Sequence, residues 1–252
     1  MRATIIGSGT VFPTPERRQS CVAVEAGGET IVFDLGNGAL RGMLLAGLDP
    51  LVIDRLLITH FHPDHTSDIP SLLFSMKYGM TEERTKPLHA IGPRPFEEFW
   101  RSFETVWKGW MIPAFPIETT ELPVEPGHKT ELPGGTLSWT PAEHRPESIA
   151  YRLDADGASF VYTGDTEYAE SVVELARGAD TLLIECSLPD EAEIPGHLTP
   201  ASAARIAAEA GVGRVVLTHL FPPVLELDLV AEVGENFDGE ILVAEDGMKL
   251  EI

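Results

Sequence analysis

Short apolar runs of strand type recur along the chain: Thr4–Ile6, Cys21–Glu25, Thr30–Asp34, Arg55–Thr59, Leu88–Ile91, Thr136–Thr140, Ile149–Leu153, Ser159–Tyr162, Thr181–Glu185, Arg214–Thr218 and Ile241–Val243. Between them lie stretches with helical spacing. Asn37 caps a predicted helix through about Ala46, and Asp64 or Thr66 caps one through about Lys77. From Pro95 to Trp110, residues Phe96, Phe99, Trp100, Phe103, Val106 and Trp107 fall at helical intervals. Aromatic residues so spaced are more often core than a pocket wall, although Phe96, Trp100, Trp107 and Trp110 could line an entrance. Glu167–Arg177 and Thr199–Ala210 read as two more helices, the second with Pro200 in its first turn. Strands come first in pairs and later alternate with helices, which predicts a layered α/β domain with sheets inside and helices outside. Ile112–Pro133, rich in Pro and Glu, reads as a loop with one strand. No repeat, low-complexity tract or Gly/Ser linker interrupts the 252 residues, so a single domain over 1–252 is expected.

Composition narrows the class. Apolar residues make up 43% and charged residues 23%, an ordinary globular balance. No apolar run approaches the roughly 18 residues of a membrane-spanning helix, so no membrane association is expected. The segment Met1–Gly7 reads as a strand, not a signal peptide, and Arg17-Arg18 has no apolar stretch behind it. A cytoplasmic address is the expectation. Two cysteines, Cys21 and Cys186, are too few for a disulfide framework or a four-thiolate zinc site, and each sits in an apolar run as a buried free thiol. The 40 acidic residues against 18 basic ones give a net charge of −22. Such a surface repels phosphate backbones, whereas nucleic-acid binders present a basic patch. The charge is uneven: residues 76–110 carry six basic side chains (Lys77, Arg84, Lys86, Arg94, Arg101, Lys108) and five acidic ones (Glu82, Glu83, Glu97, Glu98, Glu104). Solvation explains most of the remaining negative charge, and bound divalent cations would offset some of it.

The candidate chemistry lies in the histidines. Three of eight fall within Thr59-His60-Phe61-His62-Pro63-Asp64-His65, where the strand-like run Arg55–Thr59 ends. Residues two apart in an extended segment point the same way, so His60 and His62 share one side. Asp64 and His65 then turn into the next helix and can face a second centre. Imidazole and carboxylate donors this close suit zinc, iron or manganese. A lone histidine is usually a hydrogen-bonded core or surface group, but three with an aspartate in six residues are hard to explain structurally. His144, Asp165 and His219 each follow a strand end, and Gly164 would permit a sharp turn before Asp165. Singly, Asp165 could instead be a helix N-cap, and His144 or His219 a plain loop residue. With the first cluster they complete the six to seven ligands of a two-metal site. His89, within a strand-like run, and His128, in a polar loop, read as structural or surface residues.

These residues resemble the metallo-β-lactamase superfamily. His60-x-His62-x-Asp64-His65, His144, Thr163-Gly164-Asp165 and Thr218-His219 occur in that family's order with similar gaps, and Gly7-Ser8-Gly9-Thr10 and Phe33-Asp34-Leu35-Gly36 look like its first strands. The resemblance covers nearly the whole chain and implies an αββα four-layer sandwich with metals at one edge. Within the family, His144-Arg145-Pro146-Glu147-Ser148-Ile149-Ala150-Tyr151-Arg152 and Glu185-Cys186-Ser187 followed by His197-Leu198-Thr199 are similar to the ribonuclease Z-like branch of phosphodiesterases. One departure is the lack of an inserted basic or Gly-rich arm of the kind that grips tRNA; residues 76–133 read as compact and largely helix-like. With the −22 charge, this argues against tRNA as the main substrate.

The resemblance implies two divalent metal ions, zinc ahead of manganese or iron. One would be held by His60, His62, His144 and Asp165, the other by Asp64, His65, Asp165 and His219, with Asp165 bridging. It implies hydrolysis of a small, cyclic nucleotide-like phosphodiester by a shared hydroxide. Asp64 would orient or deprotonate the water, and His197, free of metal, would donate to a phosphoryl oxygen or to the leaving alkoxide. Glu185 would orient His197. Alternatively, His197 is a loop histidine capping the Thr199 helix. Hydrolysis of a lactone, thioester or β-lactam, tRNA 3′-processing, and an iron-dependent oxygenase are the competing readings. Dimers are common among similar proteins, and a homodimer is compatible with the resemblance.

Overall fold

The consecutive apolar residues of the strands divide between the two faces of each sheet. In Arg214–Thr218, Val215 and Leu217 pack beneath helices while Val216 enters the space between the sheets. In Thr181–Glu185, Leu182 and Ile184 face the helices and Leu183 the other sheet. A strand buried on both faces has no solvent side to mark with polar residues, so its run is uniformly apolar.

The structure, a computed structural model, describes residues 1–12, 14–79 and 84–252. Glu82 and Glu83 of the near-neutral stretch lie outside the described residues. The strands are β1 (Arg2–Gly7), β2 (Cys21–Ala26), β3 (Glu29–Phe33), β4 (Arg55–Leu57), β5 (Leu88–Pro93), β6 (Ile117–Leu122), β7 (His128–Leu132), β8 (Gly135–Pro141), β9 (Ile149–Ala155), β10 (Ala158–Tyr162), β11 (Thr181–Glu185), β12 (Arg214–Thr218), β13 (Glu240–Val243) and β14 (Lys249–Glu251). They form two seven-stranded sheets, ordered β14-β1-β2-β3-β4-β5-β6 and β13-β12-β11-β10-β9-β8-β7. Helices α1 (Ala39–Ala46), α2 (Pro63–Thr66), α3 (Ile69–Tyr78) and α4 (Phe96–Trp107) precede β6; α5 (Glu170–Ala176), α6 (Pro200–Ala210) and α7 (Leu229–Gly234) follow β10.

Three apolar cores define four layers. Ile5, Phe33, Leu57, Tyr151, Phe160 and Leu183 fill the space between the sheets, with the Phe33 ring 5.7 Å from Tyr151 and 6.0 Å from Phe160. A second core joins Met43, Leu72, Phe96 and Trp100 to the first sheet, and a third joins Val172, Ala203, Ile206 and Val233 to the other. This is the αββα sandwich, as the family resemblance implies. No helix among the described residues is long and apolar enough to cross a membrane.

Both sheets change character at one strand. β3 pairs antiparallel with β2 and parallel with β4, while β10 pairs antiparallel with β9 and parallel with β11. Open α/β sheets present ligand sites outside the carboxyl ends of their strands. The two switch strands meet there: Tyr162 Oη, closing β10, donates to Asp34 Oδ2, just after β3, at 2.9 Å.

Several sequence expectations need correction. Ile112–Pro133 holds two strands, β6 and β7, rather than one. Each is the edge of its sheet and mostly exposed, so it lacks an apolar signature. His128 therefore stands in a strand, stacked on Trp139 with ring centroids 5.6 Å apart, not in a loop. Residues 76–133 contain one described helix of length and three strands, so they are not largely helical. The helix expected from Asp64 to Lys77 breaks into α2 and α3 where the Asp68 amide leaves the helix to bond Leu35 O. Gly38, in left-handed backbone at φ 87°, takes the N-cap position of α1 in place of Asn37. α5 starts only at Glu170, because Ala169 before it is extended, φ −137° and ψ 127°. β14 and α7 were not expected; both are short.

Candidate metal centre

The His60–His65 turn leaves β4 at its carboxyl end. His60 and His62 do share a side, with ring centroids 4.7 Å apart, while Phe61 points the other way and stacks on Phe99 at 4.5 Å. Pro63 opens α2, which carries Asp64 and His65 inward; both are buried. His144 comes from the loop after β8, Asp165 from the loop after β10 and His219 from the end of β12. Gly164 takes φ +57°, and a Cβ there would stand 2.8 Å from the Thr59 side chain, so the β10 and β4 loops close together only because this residue is glycine. Asp34 and His219 both hold left-handed backbone, φ 56° each, an unfavourable state for either residue that the surrounding contacts impose.

Four histidines share one arrangement: Nδ1 is held by the protein and Nε2 turns into the cluster. His60 Nδ1 lies 3.0 Å from Thr59 Oγ1, His65 Nδ1 2.7 Å from Asp34 Oδ2, His144 Nδ1 2.8 Å from Gly196 O, and His197 Nδ1 3.2 Å from both oxygens of Glu185. A partner on one ring nitrogen fixes the orientation and tautomer of the other, the usual support behind a metal-binding imidazole. His62 offers its Nδ1, 3.1 Å from His144 Nε2.

Asp165 lies between two groups of donors. Its Oδ2 is 3.7 Å from His60 Nε2 and 3.8 Å from His144 Nε2, while its Oδ1 is 3.2 Å from His65 Nε2 and 2.9 Å from His219 Nδ1. Asp64 Oδ2 stands 3.5 Å from His219 Nε2 and 3.9 Å from His65 Nε2. Donor atoms of His60, His62, His144 and Asp165 lie within 4.8 Å of one another, as do those of Asp64, His65 and His219. The same span also relates Asp165, His197 and His219. Both carboxylates and all six histidines named in the sequence thus converge, and the cluster lies at one edge of the sandwich's inner space. His89 and His128 stand apart from it, paired with Glu118 and Glu125 at 3.2 and 3.5 Å.

The cluster fits divalent cations on one internal test. His60 Nε2, His65 Nε2, Asp165 Oδ1 and both ring nitrogens of His219 are buried with no hydrogen-bond partner. A buried polar atom left unpaired costs about 1–3 kcal/mol, and cations between the His60, His65 and His219 rings and the Asp165 carboxylate, taking one nitrogen from each ring, would offset that cost. Charge responses differ among the rings. Burial, then the His65 charge, lowers His60 well below the ordinary imidazole range, and burial with His144 lowers His62, favouring the neutral rings that ligate. Burial alone would lower His65, but Asp165 and Asp34 outweigh it and raise it well above that range. Burial would raise Asp165, but His219 and His65 hold it well below the usual carboxylate range.

Asp165 caps no helix, because α5 begins at Glu170 with Ala169 as its N-cap. Nor does His197 cap α6: Thr199 does, in a reciprocal pair with Ser202. Asp34 is the main supporting residue not singled out as part of the site. Wholly buried, its carboxylate accepts from the Thr59 amide at 2.8 Å, the Thr59 hydroxyl at 2.9 Å, Tyr162 Oη and His65 Nδ1. Its signal in the sequence is a carboxylate ending an otherwise apolar strand. Glu185 is the corresponding hub of the second sheet, accepting from the amides of Thr166 at 2.6 Å and Leu198 at 3.0 Å besides facing His197. Of the aromatic stripe, Phe96 and Trp100 are core, and Trp107 and Trp110 are exposed. A cavity of ≈ 330 Å³ lies beside Trp100, Phe103 and Met111, and none of its lining residues belongs to the His/Asp cluster.

Two seven-stranded sheets with a paired histidine–aspartate centre at their switch points define the class of αββα proteins with a site suited to two metals. The sequence profile of the Beta-lactamase superfamily domain matches residues 30–220, and the chain belongs to the metallo-β-lactamase superfamily, in its ribonuclease Z-like branch. Ribonuclease Z of Methanothermobacter thermautotrophicus is 28% identical over 305 residues, spanning 100% of this chain and 97% of its own length. Two solved structures superpose on the whole chain at 25% identity and with 99% of their own lengths covered: the metallo-β-lactamase fold protein YhfI from Bacillus subtilis, TM-score 0.84, and the short form of human tRNase Z, TM-score 0.82.

Proposed function

We propose that this protein is a metal-dependent hydrolase of the phosphodiesterase type, acting on a small, cyclic nucleotide-like phosphodiester. His60, His62, His144 and Asp165 would hold one divalent ion, and Asp64, His65, Asp165 and His219 would hold a second. The observation that supports this reading is the buried convergence of His60, His65 and His219, whose ring nitrogens lack hydrogen-bond partners, on an Asp165 carboxylate whose two oxygens face separate donor groups. Zinc, manganese and iron all suit this donor set, and zinc is the ion proposed. When bound, such ions supply Lewis acidity and a water of lowered pKa.

The remaining roles fall to this chain's own side chains. Asp64, buried at the edge of the cluster, orients and deprotonates the attacking water. His197 carries the proton for the leaving oxygen. Burial alone would lower it, but the hydrogen bond and charge of Glu185 outweigh that effect and push it up to about 9, so its imidazolium is available at neutral pH. Glu185 fixes His197 Nδ1 and leaves Nε2 free to face the substrate.

A small substrate is favoured by the −22 charge, which opposes long polyanions. The alignment with the archaeal ribonuclease Z also runs over 305 positions against 252 residues, so that relative carries inserted segments this chain lacks. The second reading, tRNA 3′-processing, is favoured by that relative's name and by the likeness to human tRNase Z, and the acidity of this chain alone does not remove it. The experiment sets bis(p-nitrophenyl) phosphate, a 3′,5′-cyclic nucleotide, a precursor tRNA, a lactone and a thioester beside one another on metal-loaded protein. Turnover of the diesters without tRNA cleavage is expected. Efficient tRNA cleavage would transfer the function to the second reading, and activity on the carbonyl esters alone would overturn both.

A further inference from the structure

Three loops meet at Glu167. It follows Asp165 by two residues, its amide donates to Glu143 O at 2.8 Å, and the preceding Thr166 hydroxyl accepts from the Glu143 amide at 3.0 Å. The loop carrying Asp165 is thereby tied to the loop carrying His144. The Glu167 carboxylate then reaches a third loop, accepting from the Gly196 amide at 2.5 Å. Gly196 in turn faces His144: its carbonyl lies 2.8 Å from His144 Nδ1. A carbonyl only accepts, so His144 Nδ1 carries the proton and its Nε2 lone pair is directed at the cluster.

Gly196 has little room to do this otherwise. Its φ is +91°, and a Cβ there would stand 2.7 Å from His144 Nδ1. The next residue is His197. A shift of Gly196 therefore moves the acceptor that orients one candidate ligand and the residue next to the candidate proton donor together.

We infer that Glu167 is a positioning residue, which holds Gly196 against His144 and so sets both the metal affinity of the His60/His62/His144/Asp165 group and the placement of His197. This inference rests on the metal-centre reading above. Glu167 touches neither metal nor substrate; it acts through the Gly196 backbone. Partners of this kind commonly change metal affinity or activity by about 10- to 100-fold.

The test is Zn²⁺ affinity, measured by competition with a chromophoric chelator, on wild-type protein and on Glu167→Ala, Glu167→Asp and Glu167→Gln. Glu167→Ala and Glu167→Asp, whose side chains are too short to reach the Gly196 amide, should bind zinc about 10- to 100-fold more weakly. Glu167→Gln should bind as wild type does, because its amide oxygen still accepts. Rescue by Glu167→Gln ties the effect to the hydrogen-bond acceptor and not to the charge, and the aspartate variant keeps the charge in case the alanine variant does not fold. Wild-type affinity in Glu167→Asp, or equal weakening in Glu167→Gln, would overturn the inference while leaving the metal centre intact. A wild-type protein that binds no zinc would overturn both.

Discussion

Asp34 accepts a hydrogen bond from His65 at 2.7 Å, between Oδ2 and Nδ1, with both side chains wholly buried. One residue closes β3 and the other sits on the short helix after β4, so this contact joins the sheet's switch point to the candidate metal centre. Asp34 also receives Tyr162 Oη from the opposite sheet. A single carboxylate thus orients an imidazole and ties the two sheets at the same edge.

Replacing Asp34 by asparagine keeps the volume and removes the charge. One face of the amide donates instead of accepting, so some of the four donors now around Asp34 lose their partner. The expected cost is roughly 2–4 kcal/mol of folding stability, read by denaturant titration of the metal-free protein. Zinc affinity should fall as well, since His65 loses its orienting acceptor. Stability and affinity both equal to wild type would contradict the role assigned to this contact.

Asp165→Ala removes the carboxylate that faces both donor groups. Elemental analysis of the purified variant should show loss of bound metal from both positions. Full occupancy would exclude a bridging role for Asp165.

His197→Ala should separate chemistry from metal binding. With metal content intact, diesterase turnover is expected to fall by about 10²- to 10⁴-fold, the range for loss of a general acid. An unchanged rate would remove His197 from the mechanism, and loss of metal would make it a ligand, as its approach to Asp165 and His219 also permits.

Thr199→Ala tests the start of α6. Thr199 and Ser202 satisfy each other's backbone amides at the helix start, and the substitution should cost about 1 kcal/mol. Because Leu198 and His197 precede this cap on the Glu185 hub, a fall in turnover at unchanged metal content would show that the cap also holds the loop carrying His197. Thermal denaturation and steady-state rates read the two effects separately.

The layered fold and the positions of the converging residues were legible in the sequence because they rest on local signals. Thr181–Glu185 and Arg214–Thr218 run at the predicted boundaries, since strands buried on both faces are apolar throughout. His60, His62, Asp64 and His65 crowd one turn at a strand end, where side-chain direction follows from chain geometry. β6 and β7 were less legible because edge strands carry polar and charged residues. The break between α2 and α3 was hidden too: it depends on the Asp68 amide meeting Leu35 O, a contact between distant segments. Asp34 as an orienting group, and Gly196 behind His144, also depend on pairings across 31 and 52 positions that no local pattern encodes. The pairing of Glu185 with His197 spans only 12 positions and was anticipated.

The most direct test of the central claim is a count of metal ions on the purified wild-type chain, before and after exhaustive chelation and zinc reconstitution, with diesterase rates on each sample. About two ions per chain, lost on chelation together with the activity and restored with it, is the predicted result. A chain that takes up no divalent ion, or that hydrolyses the diester equally well after chelation, would contradict the account.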